Sequence, residues 1–174
     1  ETINGVSLQV RGKDIPNLIS LPQVSYVYDN RMEWRIQRHI AVVTTGAKKV
    51  WTKSQNPSTG SGIVVGVIDS GMDATHAKKG EFAGRVLSGY DYADRDSNFD
   101  DNSIGHGTHV SGIIGGSGEG EFYRGMAYEV KYRVYKVFSD RGAGAPSDAL
   151  SKAIDQSVKD KCHVINMSLG SEGG

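Results

Sequence analysis

Ile63-Val64-Val65-Gly66-Val67-Ile68-Asp69-Ser70-Gly71 is the stretch on which the fold turns. Its β-branched residues do not alternate with polar ones, which is the pattern of a parallel strand buried on both faces. The run ends in an acid followed by Ser70-Gly71. A carboxylate therefore arrives at the carboxyl end of a buried strand, where open α/β sheets deliver functional groups. Taken alone, Asp69 could equally serve only to cap that turn. Downstream, helical and extended patterns follow one another. Val110 to Ile114 continues a glycine-entered helix, and Val130 to Phe138 reads as a second strand. Ser147 to Lys159 reads as a helix with Ser147 as N-cap and Ala149, Leu150, Ala153, Ile154 and Val158 on its apolar face. Val164 to Met167 is a third strand. Alternation at this spacing predicts an α/β sandwich around a mostly parallel sheet.

The second informative motif is Gly105-His106-Gly107-Thr108-His109-Val110-Ser111-Gly112. A histidine between two glycines is sterically open rather than packed into a core. An imidazole that titrates near pH about 6.5 when unperturbed suits a general base. His109 falls on a helix face turned away from His106 and reads as a structural hydrogen-bonder. An acid followed by a histidine supplies two of the three groups a serine hydrolase needs, the third being the nucleophile. No serine in this sequence has the surroundings of such a nucleophile.

Between the two motifs, Asp94, Asp96, Asn98, Asp100 and Asp101 form a run of oxygen ligands that could hold calcium. Phe99 stands where an EF-hand loop requires glycine, so the run reads instead as a solvated acidic loop. Gly142-Ala143-Gly144 and Ser168-Leu169-Gly170 combine small residues with open backbone. A peptide could add to such edges as a β-strand, whatever its sequence. The plainer reading of 141–146 is a flexible loop before a helix.

Residues 1–30 read as strand (Val6 to Val10), short helix (Ile15 to Ile19, with Pro16 in its first turn) and strand (Val24 to Tyr28). Some 30 residues cannot bury a core alone. Residues 31–60 are a polar bridge containing a short helix, Thr44 to Trp51, with Val50 and Trp51 as apolar anchors. In the whole chain of 174 residues, 20 Lys and Arg balance 20 Asp and Glu, so no charge footprint recommends nucleic acid or an anionic membrane. No apolar run has the length of a membrane span. One cysteine, Cys162, can form neither an intrachain disulfide nor a zinc cluster. A chain opening on Glu1 predicts a longer precursor.

Four blocks, 62–71, 102–112, 134–144 and 163–171, resemble the subtilisin-like serine proteases in order and spacing. The order acid, histidine, then a later serine is that family's, whereas the histidine comes first in chymotrypsin and the serine first in the α/β-hydrolases. The resemblance implies a subtilisin-like three-layer α/β sandwich with an incomplete, mostly parallel sheet over 61–174, a junction at 33–60, and over 1–32 the C-terminal half of a small α+β inhibitory propeptide. It implies Asp69 and His106 as triad acid and base, and Gly142, Ala143, Gly144, Ser168, Leu169 and Gly170 as substrate-binding edges. Polypeptide substrates, secretion, the propeptide as inhibitor and a remaining C-terminal part as partner follow from it. No cofactor is required for the chemistry, although a structural calcium is compatible.

The family's oxyanion asparagine and Gly-Thr-Ser nucleophile do not occur here, since Asn166 matches a structural position, and Ala77 stands where proline is common. The expectation is a zymogen segment that is inactive by itself and not an autonomous fold. The alternatives are a catalytically dead peptide-binding module of the same fold, or a metal hydrolase using His106, His109 and either His76 or the acidic run.

Overall fold

The computed structural model describes residues 10–27, 38–53, 57–101, 103–118, 123–141 and 144–170, with side chains omitted at 38–41. The chain divides into two units, Glu1–Ile36 and Gln37–Gly174.

In the first unit a single 3-10 turn, Gly12–Asp14, leads into helix α1, Ile15–Ile19, with Pro16 in its first turn. The expected strand at Val6 to Val10 lies outside the described residues except for Val10. Residues 24–27 are not a strand, which corrects the sequence reading. Valine and tyrosine favour extended backbone only where a neighbouring strand and a packed face reward it, and no ladder partner occurs for them among the described residues.

The second unit opens with helices α2 (Arg38–Thr45) and α3 (Ala47–Trp51), divided by Gly46 at φ +74°. The single helix expected over 44–51 is thus broken, because a left-handed residue cannot continue it. Trp51 is the anchor, buried edge-on to Tyr128 at 5.1 Å and donating from Nε1 to the Met126 carbonyl at 2.8 Å. Val50 is exposed instead. Adjacent helical residues point about 100° apart, so only one of the two can face inward.

The sheet is four-stranded, not three: β1 (Val64–Asp69), β2 (Val86–Asp91), β3 (Lys131–Lys136) and β4 (Val164–Asn166), in the order β2-β3-β1-β4 with every pairing parallel. β1, the strand read from its unbroken apolar run, is central and buried from Val65 onward. β2 escaped the sequence reading because it is an edge strand with exposed Leu87, a register irregularity between Val86 and Ser88, and a glycine inside it. Gly89 is needed there, since a Cβ would collide with the Phe99 ring.

Helices cover both faces. Against one face, Val65, Val67, Tyr132 and Val134 pack with Met72, Phe82 and residues of helix α5 (His106–Gly115), the short helix α4 (Ala74–Lys78) contributing Ala77. Against the other, Ile68, Tyr135 and Val137 meet helix α6 (Ser147–Lys159). This is the three-layer α/β arrangement the sequence implied. On α6 the small residues Ala149, Ala153 and Ser157 recur every four positions and are buried, so the helix lies close to the strands. Val158, placed on the apolar face by pattern, is 65% exposed, about 100° round the helix from its buried neighbour Ser157. Ser147 is the first helical residue rather than the cap. Pro146 takes the N-cap position in extended conformation, without a capping side chain.

Phe82, buried and 5.4 Å from the Tyr132 ring in a tilted edge contact, is the keystone of the α5-side core. Phe82→Ala should destabilise the fold by about 3–5 kcal/mol, read as a lowered midpoint in denaturant unfolding. An unchanged midpoint would show that this face contributes little.

Candidate active site

Three strands end together at the carboxyl edge of the sheet. Asp69 of β1 is in register with Lys136 of β3, which is in register with Asp91 of β2. All three are buried. Burial pushes the Asp91 carboxyl up from its usual range, against the pull of the Asp94 and Ala93 N–H groups and the Lys136 charge.

Asp69 is 1% exposed, and its Oδ1 lies 2.7 Å from His106 Nδ1 and accepts the Ser70 N–H at 2.7 Å. Its other oxygen takes no hydrogen bond from the described residues. All directed bonding of the carboxylate therefore runs through one oxygen to the Ser70 backbone and to the imidazole. Since a carboxylate can only accept, the short contact assigns the proton to Nδ1 and leaves Nε2 as the basic nitrogen. The His106 side chain remains 48% exposed, so the histidine is held from behind and open in front.

The path from sequence to this contact is short. His106 is the first residue of α5, and Gly105 before it has φ +76°, a left-handed entry that favours glycine. The amides of the first turn find side-chain acceptors. Gly107 N–H donates to Ser70 Oγ at 2.9 Å, and Thr108 N–H to Asp101 Oδ2 at 2.9 Å. Such acceptors satisfy donors that have no partner inside the helix. Asp101 Oδ1 also accepts the Gly105 N–H at 3.0 Å, and Thr108 Oγ1 donates to Oδ2 at 2.8 Å. Gly107 lies so close to the turn after β1 that a Cβ would run into the Gly71 carbonyl oxygen and stand 3.1 Å from Asp69 Cβ.

The acidic run is solvated only in part: Asp94, Asp96 and Asn98 are exposed as expected, whereas Asp101 is buried. Asp101 and Asp91 are buried, and their carboxylates bind backbone N–H groups of the helix entry and of the turn at 93–94. Asp94 accepts from Ser139 Oγ, and Asp100 Oδ1 from the Ala74 N–H at 3.0 Å. Among the described residues no group of three His, Cys, Asp or Glu side chains is arranged to hold a metal ion. His109 is exposed and makes no side-chain hydrogen bond among the described residues, contrary to expectation. His76 lies apart on α4, its ring 6.2 Å from that of Phe82.

Of the two candidate edges, Gly142 and Ala143 lie outside the described residues, while Gly144 is exposed at φ +93° with open space where a Cβ would be. Ser168, Leu169 and Gly170 follow β4 after Met167, at the same edge of the parallel sheet as Asp69. Ser168 Oγ donates to the Asn166 side chain at 3.0 Å, and Leu169 packs partly into the α6-side core, leaving Ser168 and Gly170 exposed.

Sequence reasoning missed Lys136, and it missed the roles of Ser70 and Asp101 as acceptors for the amides at the start of α5. The signal for Lys136 was present: a single cation inside the apolar run Val134 to Phe138 must either be exposed or have partners.

Against known proteins, the Subtilase family is matched by residues 60–174. The PI-type proteinase of Lactococcus lactis subsp. cremoris is 34% identical over 99% of this chain and 11% of its own length. The minor extracellular protease Vpr of Bacillus subtilis (strain 168) is 26% identical over 98% of this chain and 23% of its own. Among solved structures, a cold adapted subtilisin-like serine proteinase superposes with a TM-score of 0.55 at 34% identity, covering 67% of this chain and 40% of that one. The CspB protease of Clostridium perfringens gives 0.63 at 26% identity, covering 78% and 34%. The chain belongs to the subtilase family, and it spans less than half the length of each of these relatives.

The backbone contact at Gly107 generates a sharp expectation. Gly107→Ala should push the start of α5 away from Gly71 and break the His106–Asp69 bond. The hydrogen-bonded Nδ1 proton should disappear from the downfield proton NMR spectrum, and thermal stability should fall. A folded variant that keeps the resonance unshifted would contradict the steric argument.

Proposed function

We propose that this chain is part of a secreted subtilisin-like serine endopeptidase zymogen, with Asp69 as triad acid and His106 as general base. The observation that carries the reading is the 2.7 Å bond from a buried carboxylate to an imidazole whose other side is open. Asp69 holds the ring in the tautomer with a free Nε2 and would stabilise the imidazolium that forms when a serine hydroxyl is deprotonated. The serine and the oxyanion donor would come from sequence other than residues 1–174, which hold no Gly-Thr-Ser motif. By itself this segment would not turn over substrate. The chemistry calls on no cofactor.

The remainder of the domain also has a place to pack. β4 is a three-residue edge strand with Val164 exposed, beside an apolar cavity of about 520 Å³ lined by Trp51, Ile63, Ile113, Ile114 and Val164 among others. An unpaired parallel edge and open apolar lining are normally covered in α/β proteins. The substrate would be an extended polypeptide, seated along the backbone at 142–144 and 168–170. Secretion is supported by the extracellular character stated in the name of the Bacillus relative.

The competing reading is a peptide-binding module of the same fold without catalysis. Assay of the complete protein separates the two. Peptide hydrolysis abolished by a serine-directed phosphonate and indifferent to chelators supports the protease, whereas binding without hydrolysis supports the module. In the active protein His106→Ala should abolish turnover. Asp69→Asn should lower kcat by roughly 10⁴-fold, the loss found for the corresponding change in another serine-protease triad. A near-normal rate for Asp69→Asn would sink the assignment.

Residues 1–32 would act as the inhibitory propeptide. The likeness to the lactococcal proteinase runs over 99% of the chain and so includes this part of it. A synthetic peptide of residues 1–32 should compete with substrate. Lack of inhibition at high concentration would make this segment an ordinary N-terminal extension of the domain.

A further inference from the structure

We infer that Lys136 is a positioning residue for the Asp69–His106 pair, acting through the segment Phe99–Asp101. The inference rests on the role given to that pair above.

Phe99, Asp100 and Asp101 belong to no helix or strand, yet they touch both motifs. On the β1 side, the Phe99 carbonyl accepts the Met72 N–H at 2.9 Å and Asp100 Oδ1 accepts the Ala74 N–H at 3.0 Å. On the α5 side, Asp101 takes the Gly105 and Thr108 N–H groups and the Thr108 hydroxyl. Thr108 Oγ1 in turn accepts the Asp73 N–H at 2.9 Å. The three residues thus form a crosspiece between the turn that leaves Asp69 and the turn that begins with His106. Any shift of the crosspiece moves one motif against the other.

Lys136 joins this crosspiece to the sheet. It closes β3, the strand between β1 and β2, and its side chain is fully buried. Its ammonium donates to the Asp100 carbonyl at 2.9 Å and to Asp140 Oδ1 at 2.6 Å. Asp140 Oδ1 also accepts from Ser103 Oγ at 2.7 Å, so the counter-charge reaches back to the loop just before His106. Asp91, in register on β2, is the other acidic neighbour. A buried ion pair contributes little net stability when compared with well-packed apolar residues. What a short, directed ammonium bond to a loop carbonyl does provide is location, referred to the same row of strand ends that holds Asp69. The plainer possibility is that Lys136 and Asp140, four residues apart, only staple β3 to the loop that follows it.

The test uses the complete protein. Lys136→Met keeps length and removes the donor. Misplacement of the imidazole relative to its carboxylate should lower kcat by about 100-fold while KM stays within about threefold, since binding groups are untouched. The hydrogen-bonded Nδ1 proton of His106 should broaden or shift. Asp140→Asn, which leaves the Asp100 bond, should keep kcat within about threefold. The double variant Lys136→Met with Asp140→Asn removes both charges and guards against misfolding from an unpaired carboxylate; it should fold and retain the deficit of Lys136→Met. A folded double variant with normal kcat and an unaltered Nδ1 resonance overturns the proposal. So does an equal loss of kcat in Lys136→Met and Asp140→Asn, which would identify the staple. If the unmodified protein hydrolyses no peptide, the protease reading fails separately, and the Nδ1 resonance alone decides for or against Lys136.

Discussion

The carboxyl end of this sheet depends on backbone lying directly on backbone where α5 begins. Gly107 meets the Gly71 carbonyl with no room for a side chain between them. Nothing larger than hydrogen at that position lets the first turn of the helix settle over the end of β1. With it settled, Ser70 Oγ reaches the Gly107 amide and Asp69 reaches the His106 ring. The Asp69 carboxylate also sits beside the partly positive N-terminal end of a helix, an arrangement favourable to an anion. The two motifs form one unit of structure, brought together by a steric allowance before any hydrogen bond is counted.

The legible part of the fold was the part governed by strong local rules. β1 was visible because burial on both faces demands an unbroken apolar run, β3 because its valines and tyrosines favour extended backbone, and α6 because a helix against a sheet requires a stripe every three to four residues. β2 was invisible because an edge strand with one partner is free of that demand, and because its Gly89 reflects a clash with the Phe99 ring that is fixed only in three dimensions. The expected strand at 24–27 failed for the converse reason, its propensity being unsupported by a partner among the described residues.

The site divides in the same way. Asp69 and His106 stood out through their glycine neighbours and their order in the chain, and the structure places them in contact. The acidic run was misread at its C-terminal end: Asp-x-Asp-x-Asn-x-Asp-Asp looks like solvated charge throughout, and Asp94, Asp96 and Asn98 are exposed, whereas Asp100 accepts from Ala74 and the buried Asp101 from the entry of α5. Composition cannot show which carboxylates are spent on backbone amides. The information lies in loop geometry, and only Phe99, an aromatic within the run, hinted that the segment has an inward side.

A buried cation in the midst of these acids changes how the site should be regarded. Lys136 and Asp140 form an ion pair at the buried carboxyl end of β3, where an apolar residue would pack at no desolvation cost. Stability alone gives little reason for such a residue. Geometry does: an apolar contact tolerates sliding, while a charge-assisted bond to a single carbonyl oxygen has a preferred length and direction. The hydrophobic layers therefore hold the sheet and helices together without determining the spacing of Asp69 and His106 to a fraction of an ångström. The polar bonds at the strand ends, from Lys136 through Asp100 and Asp101 to Gly105 and Thr108, act at that finer scale.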